Sequence, residues 1–213
     1  MIEQTISVDA ARRVYNRLGR QLNAAERYEA HAKSKALQLL ATRPNQRILH
    51  VGVGTGREHA QLHQTVVPDG VVVGVDLSRT MLELTRSRID TPLCEGNAVS
   101  LPFANASFDR IFSAYMLDLI DITDIFRVLD EFRRVLKPDG RMVLVSLTEG
   151  ISLSSRLFVA LWKLRYVINP HTLGGCRPIR LSEPVQRAGF TLVTQTVVVQ
   201  NRFPSEIVVA IPT

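Results

Sequence analysis

Three closely spaced glycines follow a short apolar segment in the first third of the chain. Residues 47–51 read Arg-Ile-Leu-His-Val, and Gly52, Gly54 and Gly56 come directly after them. Glycine has no Cβ, so such a turn can be tight and its backbone can touch a ligand. The next apolar segment ends on Asp76, whose carboxylate can accept hydrogen bonds from both hydroxyls of a ribose. This order predicts a nucleoside-binding half of a doubly wound sheet.

The spacing of the glycines distinguishes between classes of nucleotide. A dinucleotide-binding turn places its third glycine where this chain has Arg57, whereas the third glycine here comes one residue earlier, at Gly56. The chain also has no Tyr-x-x-x-Lys pair, which disfavours a nicotinamide oxidoreductase. The Gly-x-Gly-x-Gly form resembles motif I of the class I S-adenosylmethionine-dependent methyltransferases.

Three further segments strengthen this resemblance, and they occur in the family's order. Residues 94–109 are similar to the family stretch Gly-Asp-Ala-x-x-Leu-Pro-Phe-x-x-x-Ser-Phe-Asp, and the apolar residues 110–117 follow. Residues 132–145 resemble the helix, turn and strand around Arg-Val-Leu-Lys-Pro-Gly-Gly. Within the family, the sequence of the glycine turn and the pair Tyr15-Asn16 resemble those of the ubiquinone/menaquinone C-methyltransferases and the soluble phospholipid N-methyltransferases.

The resemblance implies a cofactor, S-adenosyl-L-methionine, with S-adenosyl-L-homocysteine as the product. It implies that the glycine turn lines the methionine end and that Asp76 holds the ribose. It also implies that Leu77 and Met81 flank the adenine, while Asn97 and the backbone of Ala98 bind its edge. The full set of expected cofactor-binding residues is Gly52, Gly54, Thr55, Gly56, Asp76, Leu77, Met81, Asn97, Ala98 and Ser113.

Two residues depart from the family pattern. Asn97 stands where an aspartate is usual, which keeps an oxygen acceptor but removes its charge. His50 stands where the family carries an acid, so another carboxylate or a carbonyl would have to hold the ligand's ammonium group, and Glu58 and Asp118 are candidates. These departures leave open an alternative, a non-catalytic cofactor-binding partner subunit.

The candidate catalytic residues are Tyr115 and His171. Tyr115 ends the expected fourth strand and can orient a nucleophile, and His171 lies in a loop near the expected acceptor pocket and can act as a general base. Each can instead be a packing or loop residue. The same alternative applies to Tyr15 and Tyr28, which can close over the sulfonium, since ring faces attract cations.

Other side chains carry weaker hypotheses. His59 and His63 have a metal-binding spacing but no partner at a recognisable position, so we interpret them as surface histidines and expect no metal. Two arginines can clamp an anion, and two aromatic residues can enter a membrane interface or line a pocket; these are Arg177, Arg180, Phe158 and Trp162.

Alternating strands and helices predict an α/β fold with a doubly wound, mostly parallel, seven-stranded Rossmann-like sheet. The resemblance implies one antiparallel strand from a C-terminal hairpin. The expected strands are 47–52, 71–76, 92–95, 110–115, 141–147, 190–199 and 205–211, and the expected helices are 8–20, 23–42, 57–65, 79–88, 122–137, 152–168 and 181–188. Lys137-Pro-Asp-Gly140 is expected to be a turn that ends a helix, and Arg202-Phe-Pro-Ser205 the connection of the hairpin.

We expect one domain over residues 1–213. It divides into an N-terminal helical cover, 1–44, a cofactor-binding core, 45–148, and a substrate-side segment, 149–213. The chain is 46% hydrophobic and 22% charged, which disfavours disorder. It has no long apolar stretch, no signal peptide pattern and only two cysteines, which favours a cytoplasmic protein.

Charge is unevenly distributed along the chain. Residues 1–47 hold nine Lys/Arg and four Asp/Glu, the centre holds ten and fourteen, and residues 151–213 hold seven and two, giving +5, −4 and +5. Basic ends over a more acidic centre favour an anionic substrate or peripheral contact with an anionic membrane, although a solvated basic face is an equal alternative. Nucleic acid is disfavoured because aromatic residues are few. We expect a small-molecule or lipid-like acceptor, with a quinone precursor or a phospholipid amine favoured.

Overall fold

A seven-stranded sheet with helices on both faces forms the centre of the computed structural model, which describes residues 5–213. The strands are β1 Arg47–Val51, β2 Val71–Asp76, β3 Leu93–Glu95, β4 Phe108–Ala114, β5 Leu136–Leu147, β6 Phe190–Gln200 and β7 Phe203–Pro212. The α-helices are α1 Val8–Leu18, α2 Glu26–Leu40, α3 Arg57–Val66, α4 Arg79–Arg86, α5 Ile122–Val135, α6 Leu153–Ile168 and α7 Ser182–Arg187. Short 3₁₀ helices span Gly19–Ala25, Leu117–Leu119 and Pro170–Leu173.

The strand order is β3-β2-β1-β4-β5-β7-β6. Neighbouring strands from β3 to β5 pair in parallel, and β7 pairs antiparallel with both β5 and β6. The predicted mostly parallel sheet with one reversed strand is therefore confirmed. The chain order reverses beside β1, and in open sheets of this kind ligands bind at the carboxyl ends of the strands near that point.

The central strands are buried on both faces because their apolar residues alternate between two cores. Ile48 and Val143 face α2 and α3, while Leu49 and Leu144 face α5 and α7. A fully buried side chain of this kind contributes about 1.5–3 kcal/mol relative to an exposed one. The two cores hold the carboxyl edge of the sheet in place.

The structure corrects the prediction of a turn at 137–140, because β5 begins at Leu136, before these residues. Leu136 pairs with Phe108, and the ladder resumes with Arg141 opposite Arg110, so residues 137–140 bulge out of a continuous strand. Gly140 allows this bulge, because a Cβ there would lie 2.6 Å from Leu136 Cγ. The expectation of a turn here is wrong, because the chain stays beside β4 and β5 runs through these residues.

The hairpin connection also differs from the expectation. Asn201 and Arg202 form the turn with φ of 50° and 70°, and the strand resumes at Phe203. Two residues at positive φ match the twist of the flanking strands, and asparagine tolerates that conformation well. Phe203, Pro204 and Ser205 therefore belong to β7, which brings two of them to the candidate site.

Candidate functional site

A cavity of about 470 Å³ lies at the carboxyl ends of β1, β2 and β4. Its floor consists of residues 50–55, 75–78, 96–99 and 114–116. Residues of α1, of the following 3₁₀ helix and of the first turns of α2 also line it, as do residues 171–174. The cavity therefore occupies the position predicted from the glycine turn and Asp76, between the sheet and the N-terminal helices.

Two of the three glycines in the glycine turn line the cavity. Gly52 and Gly54 have φ of 75° and 54° and line the cavity together with Thr55. Gly56 has φ of 81° but does not line it. A Cβ at Gly56 would lie 2.8 Å from the Cα of Thr85, so this glycine permits close packing of α3 on α4.

Asp76 connects the glycine turn to the start of α4. Its carboxylate accepts hydrogen bonds from the backbone N–H of Gly54 at 3.0 Å and of Ser78 at 2.8 Å. Burial raises the pKa of Asp76 to about 6, although hydrogen bonds from Ser78 and Gly54 oppose the shift. The carboxylate lines the cavity and keeps free acceptor capacity, since an ionised carboxylate offers about four lone-pair sites.

The remaining expected cofactor residues divide into two groups. Leu77, Met81, Asn97 and Ala98 line the cavity, and the Asn97 side-chain oxygen accepts a hydrogen bond from the Val99 N–H at 3.2 Å. Ser113 does not line it, because its hydroxyl donates to the Val51 carbonyl at 2.9 Å inside the sheet.

His50 lines the cavity as a neutral imidazole. Burial lowers its pKa well below the ordinary value, with His59 adding to the effect. His50 Nδ1 is buried, and no described residue provides it with a hydrogen-bond partner. The expectation that His59 lies on the surface is wrong: it is fully buried, stacks on His50 at 5.5 Å and bonds to Thr91 Oγ1, while His63 is half-buried.

Carboxylates of α2 and α3 also line the cavity, in addition to Asp121 and Asp124 at the start of α5. Lys33 Nζ lies 2.8 Å from Glu26, 2.9 Å from Glu29 and 3.6 Å from Glu58. All four residues line the cavity, and together they are hereafter called the glutamate cluster. Burial raises the pKa of Glu29, whereas the carboxylates raise that of Lys33 against the opposing effect of burial. Arg57 also lies 3.6 Å from Glu26, so three carboxylates face two cations and this wall carries one net negative charge when all five groups are ionised.

Sequence reasoning identified Glu58 but missed Glu26, Glu29 and Lys33. The four-residue step from Glu29 to Lys33 was a visible signal. Asp118, the other proposed carboxylate, does not line the cavity. It is fully buried, accepts from the Leu147 N–H at 3.0 Å, and burial raises its pKa to about 7.

An aromatic wall lies next to the glutamate cluster, since Lys33 Nζ is 5.8 Å from the centroid of the Tyr115 ring. Phe203 lies within 6.0 Å, between ring centroids, of each of four other rings: Tyr28, Tyr115, Phe158 and Trp162. Tyr115 has φ of 53°, and its hydroxyl lies 2.6 Å from Ser205 Oγ. Burial raises the pKa of Tyr115 well above its ordinary value, so its hydroxyl stays protonated near neutral pH.

The loop after α6 contributes His171, which is exposed and lines the cavity. Tyr15 also lines the cavity, and burial raises its pKa. Arg177 does not line it: this fully buried side chain donates to the carbonyls of Asp118 and Ile120 and so anchors the loop. Arg180 is exposed and lies outside the cavity.

Residues 5–213 contain neither a candidate metal site nor a candidate membrane span. No three His, Cys, Asp or Glu side chains there are grouped to hold a metal ion. None of the helices within that range is both long and apolar enough to cross a bilayer.

Comparison with known proteins gives consistent results. Residues 49–144 match the family described as "Methyltransferase domain". The chain is 36% identical over 129 residues to the demethylmenaquinone methyltransferase of Symbiobacterium thermophilum, covering 57% of this chain and 51% of that one. The chain therefore spans about half the length of this relative.

Solved structures share the fold. A methyltransferase in complex with the Haloferax volcanii Trm112 methyltransferase activator aligns with a TM-score of 0.77 and 19% identity, covering 95% of this chain and 98% of that one. The Burkholderia thailandensis 1,6-didemethyltoxoflavin-N1-methyltransferase, solved with 1,6-didemethyltoxoflavin and S-adenosylhomocysteine, aligns at 0.73 and 17% identity, covering 100% and 93%. Together with the sheet order, these similarities show a methyltransferase-like fold around the methyltransferase domain matched at residues 49–144.

Proposed function

We propose that this protein transfers the methyl group of S-adenosylmethionine to a small, largely apolar acceptor. The observation that carries the proposal is one cavity with two unlike walls. Asp76 and Asn97 lie on the β2 side, whereas Tyr115 and Phe203 lie on the β4 and β7 side, with the glycine turn between them. This arrangement suits a polar nucleoside and a flat apolar molecule placed next to each other.

The residues present fit the cofactor. Gly52 and Gly54 leave the cavity floor open because neither has a side chain, and Asp76 offers acceptors for ribose hydroxyls. Leu77 and Met81 provide apolar surface for adenine, and Asn97 and Ala98 provide polar groups at its edge. The glutamate cluster, rather than position 50, would hold the ammonium group.

Bound S-adenosylmethionine supplies an electrophilic methyl group. The protein's residues would align the acceptor and exclude water, because residues 5–44 cover the cavity and residues 149–213 contribute its acceptor side. Tyr115 would position the acceptor through its hydroxyl, which Ser205 holds in place. His171 is the candidate base for acceptors that must lose a proton.

The aromatic wall and the name of the matched relative favour a quinone precursor as acceptor. A phospholipid amine is the second candidate, since the glutamate cluster also favours a cationic group. A lipid-like acceptor would be reached at a membrane, so we propose a cytoplasmic protein in peripheral contact with an anionic surface. The two cysteines are free, as a reducing compartment requires.

The test is incubation with methyl-labelled S-adenosylmethionine and either a demethylmenaquinone analogue or phosphatidylethanolamine. We expect label on the quinone, reduced at least tenfold by Tyr115→Phe or His171→Ala with little change in cofactor affinity. Absence of calorimetric binding at millimolar cofactor would contradict the proposal.

The alternative is a cofactor-binding partner subunit without its own activity, favoured by His50 and Asn97 in place of acids. The same two assays separate the functions, because such a subunit would bind the cofactor but label neither acceptor. Labelled product from the protein alone would exclude this alternative.

A further inference from the structure

Helix α6 presents an apolar face to solvent. Its exposed apolar residues repeat at three- and four-residue steps and therefore form one stripe along the helix. This outer stripe consists of Leu153, Leu157, Leu161, Leu164, Val167 and Ile168, whose exposed fractions lie between 59% and 85%. Contiguous exposed apolar surface of this kind marks an interaction site rather than ordinary surface.

The opposite face of α6 already has its partners. Ser155, Val159 and Tyr166 are buried against the protein. Trp162 lines the cavity and donates its indole N–H to the Cys176 carbonyl at 2.9 Å. The outer stripe is therefore not needed to hold the helix on the domain, and α6 separates the cavity's aromatic wall from solvent.

Cationic side chains flank the outer stripe. On a helical projection, Arg156 and Lys163 lie along one side of it and Arg165 lies along the other, and α6 contains no acidic residue. Lys163 pairs with Glu149 at 2.6 Å. Among residues 5–213, Arg156 donates to the Gly150 carbonyl and Arg165 donates to the Thr172 hydroxyl. An apolar stripe between cations has the chemistry of a helix that lies in the interface of an anionic bilayer.

The same side of the molecule carries the cavity opening. Val8 and His171 are exposed and also line the cavity, so they border its mouth. The 3₁₀ helix containing His171 packs on α6, and Arg165 Nε bonds to Thr172 Oγ1 at 3.2 Å. A surface that binds the outer stripe would therefore lie next to the entrance.

We infer that α6 docks the protein on an anionic phospholipid bilayer, with the outer stripe inserted among the acyl chains and its flanking cations on the headgroups. A second copy of the chain fits less well, because apposed α6 helices would bring like charges together without compensating acids on the helix. The inference deepens the proposed function, on which it rests for the reason to approach a membrane, but vesicle binding is measured without cofactor or acceptor.

The experiment is sedimentation of the full chain with phosphatidylcholine vesicles, with and without phosphatidylglycerol. Leu157→Glu and Leu164→Glu should each reduce retention about tenfold, since each removes about one buried leucine side chain and adds a charge. Val193→Glu is the matched control, because Val193 is an exposed valine on β6, 48% exposed, and should not change retention.

Two cation variants test the electrostatic part. Arg156→Gln and Arg165→Gln should each weaken binding about fivefold on phosphatidylglycerol-containing vesicles and leave binding to phosphatidylcholine unchanged. High salt should weaken binding to phosphatidylglycerol-containing vesicles in the same way, because it screens the charges of both arginines.

Three results would overturn the inference. These are no retention of the parent protein, equal loss in Val193→Glu and Leu157→Glu, or a dimer in light scattering that Leu157→Glu converts to a monomer. The last result would assign the outer stripe to self-association. Methyl transfer to a water-soluble acceptor analogue should be unchanged in Leu157→Glu, so failure of vesicle binding and failure of the proposed activity are distinguishable.

Discussion

The single carboxylate of Asp76 joins the glycine turn to the start of α4 through its hydrogen bonds, and it also lines the cavity. Burial raises its pKa to about 6 from 3.8, so the folded state holds this proton more tightly than the unfolded chain. The group's contribution to stability therefore falls as pH rises from about 4 to 6. Ligand hydroxyls need the ionised form, so binding should have the opposite pH dependence.

We expect the affinity for S-adenosylhomocysteine to fall as pH decreases below about 6, approaching tenfold per pH unit. Asp76→Asn should remove this dependence and weaken binding at pH 8 by about 1–3 kcal/mol. Calorimetry across pH measures both effects, with the exposed Asp139→Asn as the control. An affinity of the parent protein that does not vary with pH would refute the ribose assignment.

Lys33 neutralises part of the glutamate cluster. Lys33→Met should lower the free energy of unfolding by about 3 kcal/mol near pH 8, because three carboxylates would then face one another with little access to water. The loss should shrink as pH falls, since burial raises the pKa of Glu29 and protonation removes the repulsion. Urea unfolding at two pH values measures this.

Arg127→Met is the control for this measurement, because it breaks the exposed pair with Asp124. It should cost less than about 1 kcal/mol. An equal and pH-independent loss in both variants would show that the cluster is not electrostatically coupled.

Local motifs predicted several residues that line the cavity. Gly52, Gly54 and Asp76 were found from sequence because one strand–turn–helix–strand unit positions all three. The cluster around Lys33 was missed, because Glu58 approaches α2 only when α3 packs beside it. Arg177 was interpreted as a ligand clamp, but its burial against two backbone carbonyls depends on how a distant loop folds back.

At the scale of elements, the glycines of one turn have separate roles. Gly56→Ala should destabilise the fold by about 3 kcal/mol, because its Cβ would meet the Thr85 backbone at 2.8 Å and its φ is positive. Gly54→Ala should cost only about 1 kcal/mol, since its Cβ would lie 3.7 Å from its nearest neighbour, Leu22. That Cβ would instead fill the cavity and reduce cofactor affinity at least tenfold.

Urea unfolding and calorimetry on both variants test this division. Gly56→Ala should bind cofactor nearly as well as the parent at a temperature where it is folded. The interpretation fails if Gly54→Ala binds normally or if both variants lose the same stability.

The helices and strands followed their sequence patterns, whereas the connections did not. The spacing of apolar residues reflects which side of a helix or strand is buried. The bounds of α5 and β2 were therefore predicted to within a few residues. The bulge at 137–140 depends on pairing with β4, and the turn at Asn201 depends on the register of the hairpin. Helix α6 is apolar on both sides, so its pattern did not indicate which side faces solvent.

We expect ligand binding to stabilise the whole molecule, because residues from both the N-terminal and the C-terminal parts of the chain line the cavity. At a concentration 100 times the dissociation constant, S-adenosylhomocysteine should add about 2.7 kcal/mol and raise the melting temperature by about 5–10 °C. Differential scanning fluorimetry measures this, and Asp76→Asn should show a smaller shift. Adenosine diphosphate is the control ligand, and an equal shift with it would contradict a site specific for this cofactor.

The order of the last two strands has a consequence for biosynthesis. β7 follows β6 in the chain but lies between β5 and β6 in the sheet. Until β7 is synthesised and released, β5 has an open edge and β6 cannot pair with its observed neighbour. The aromatic wall around Phe203 would therefore be assembled after β1 to β5 have already had time to form.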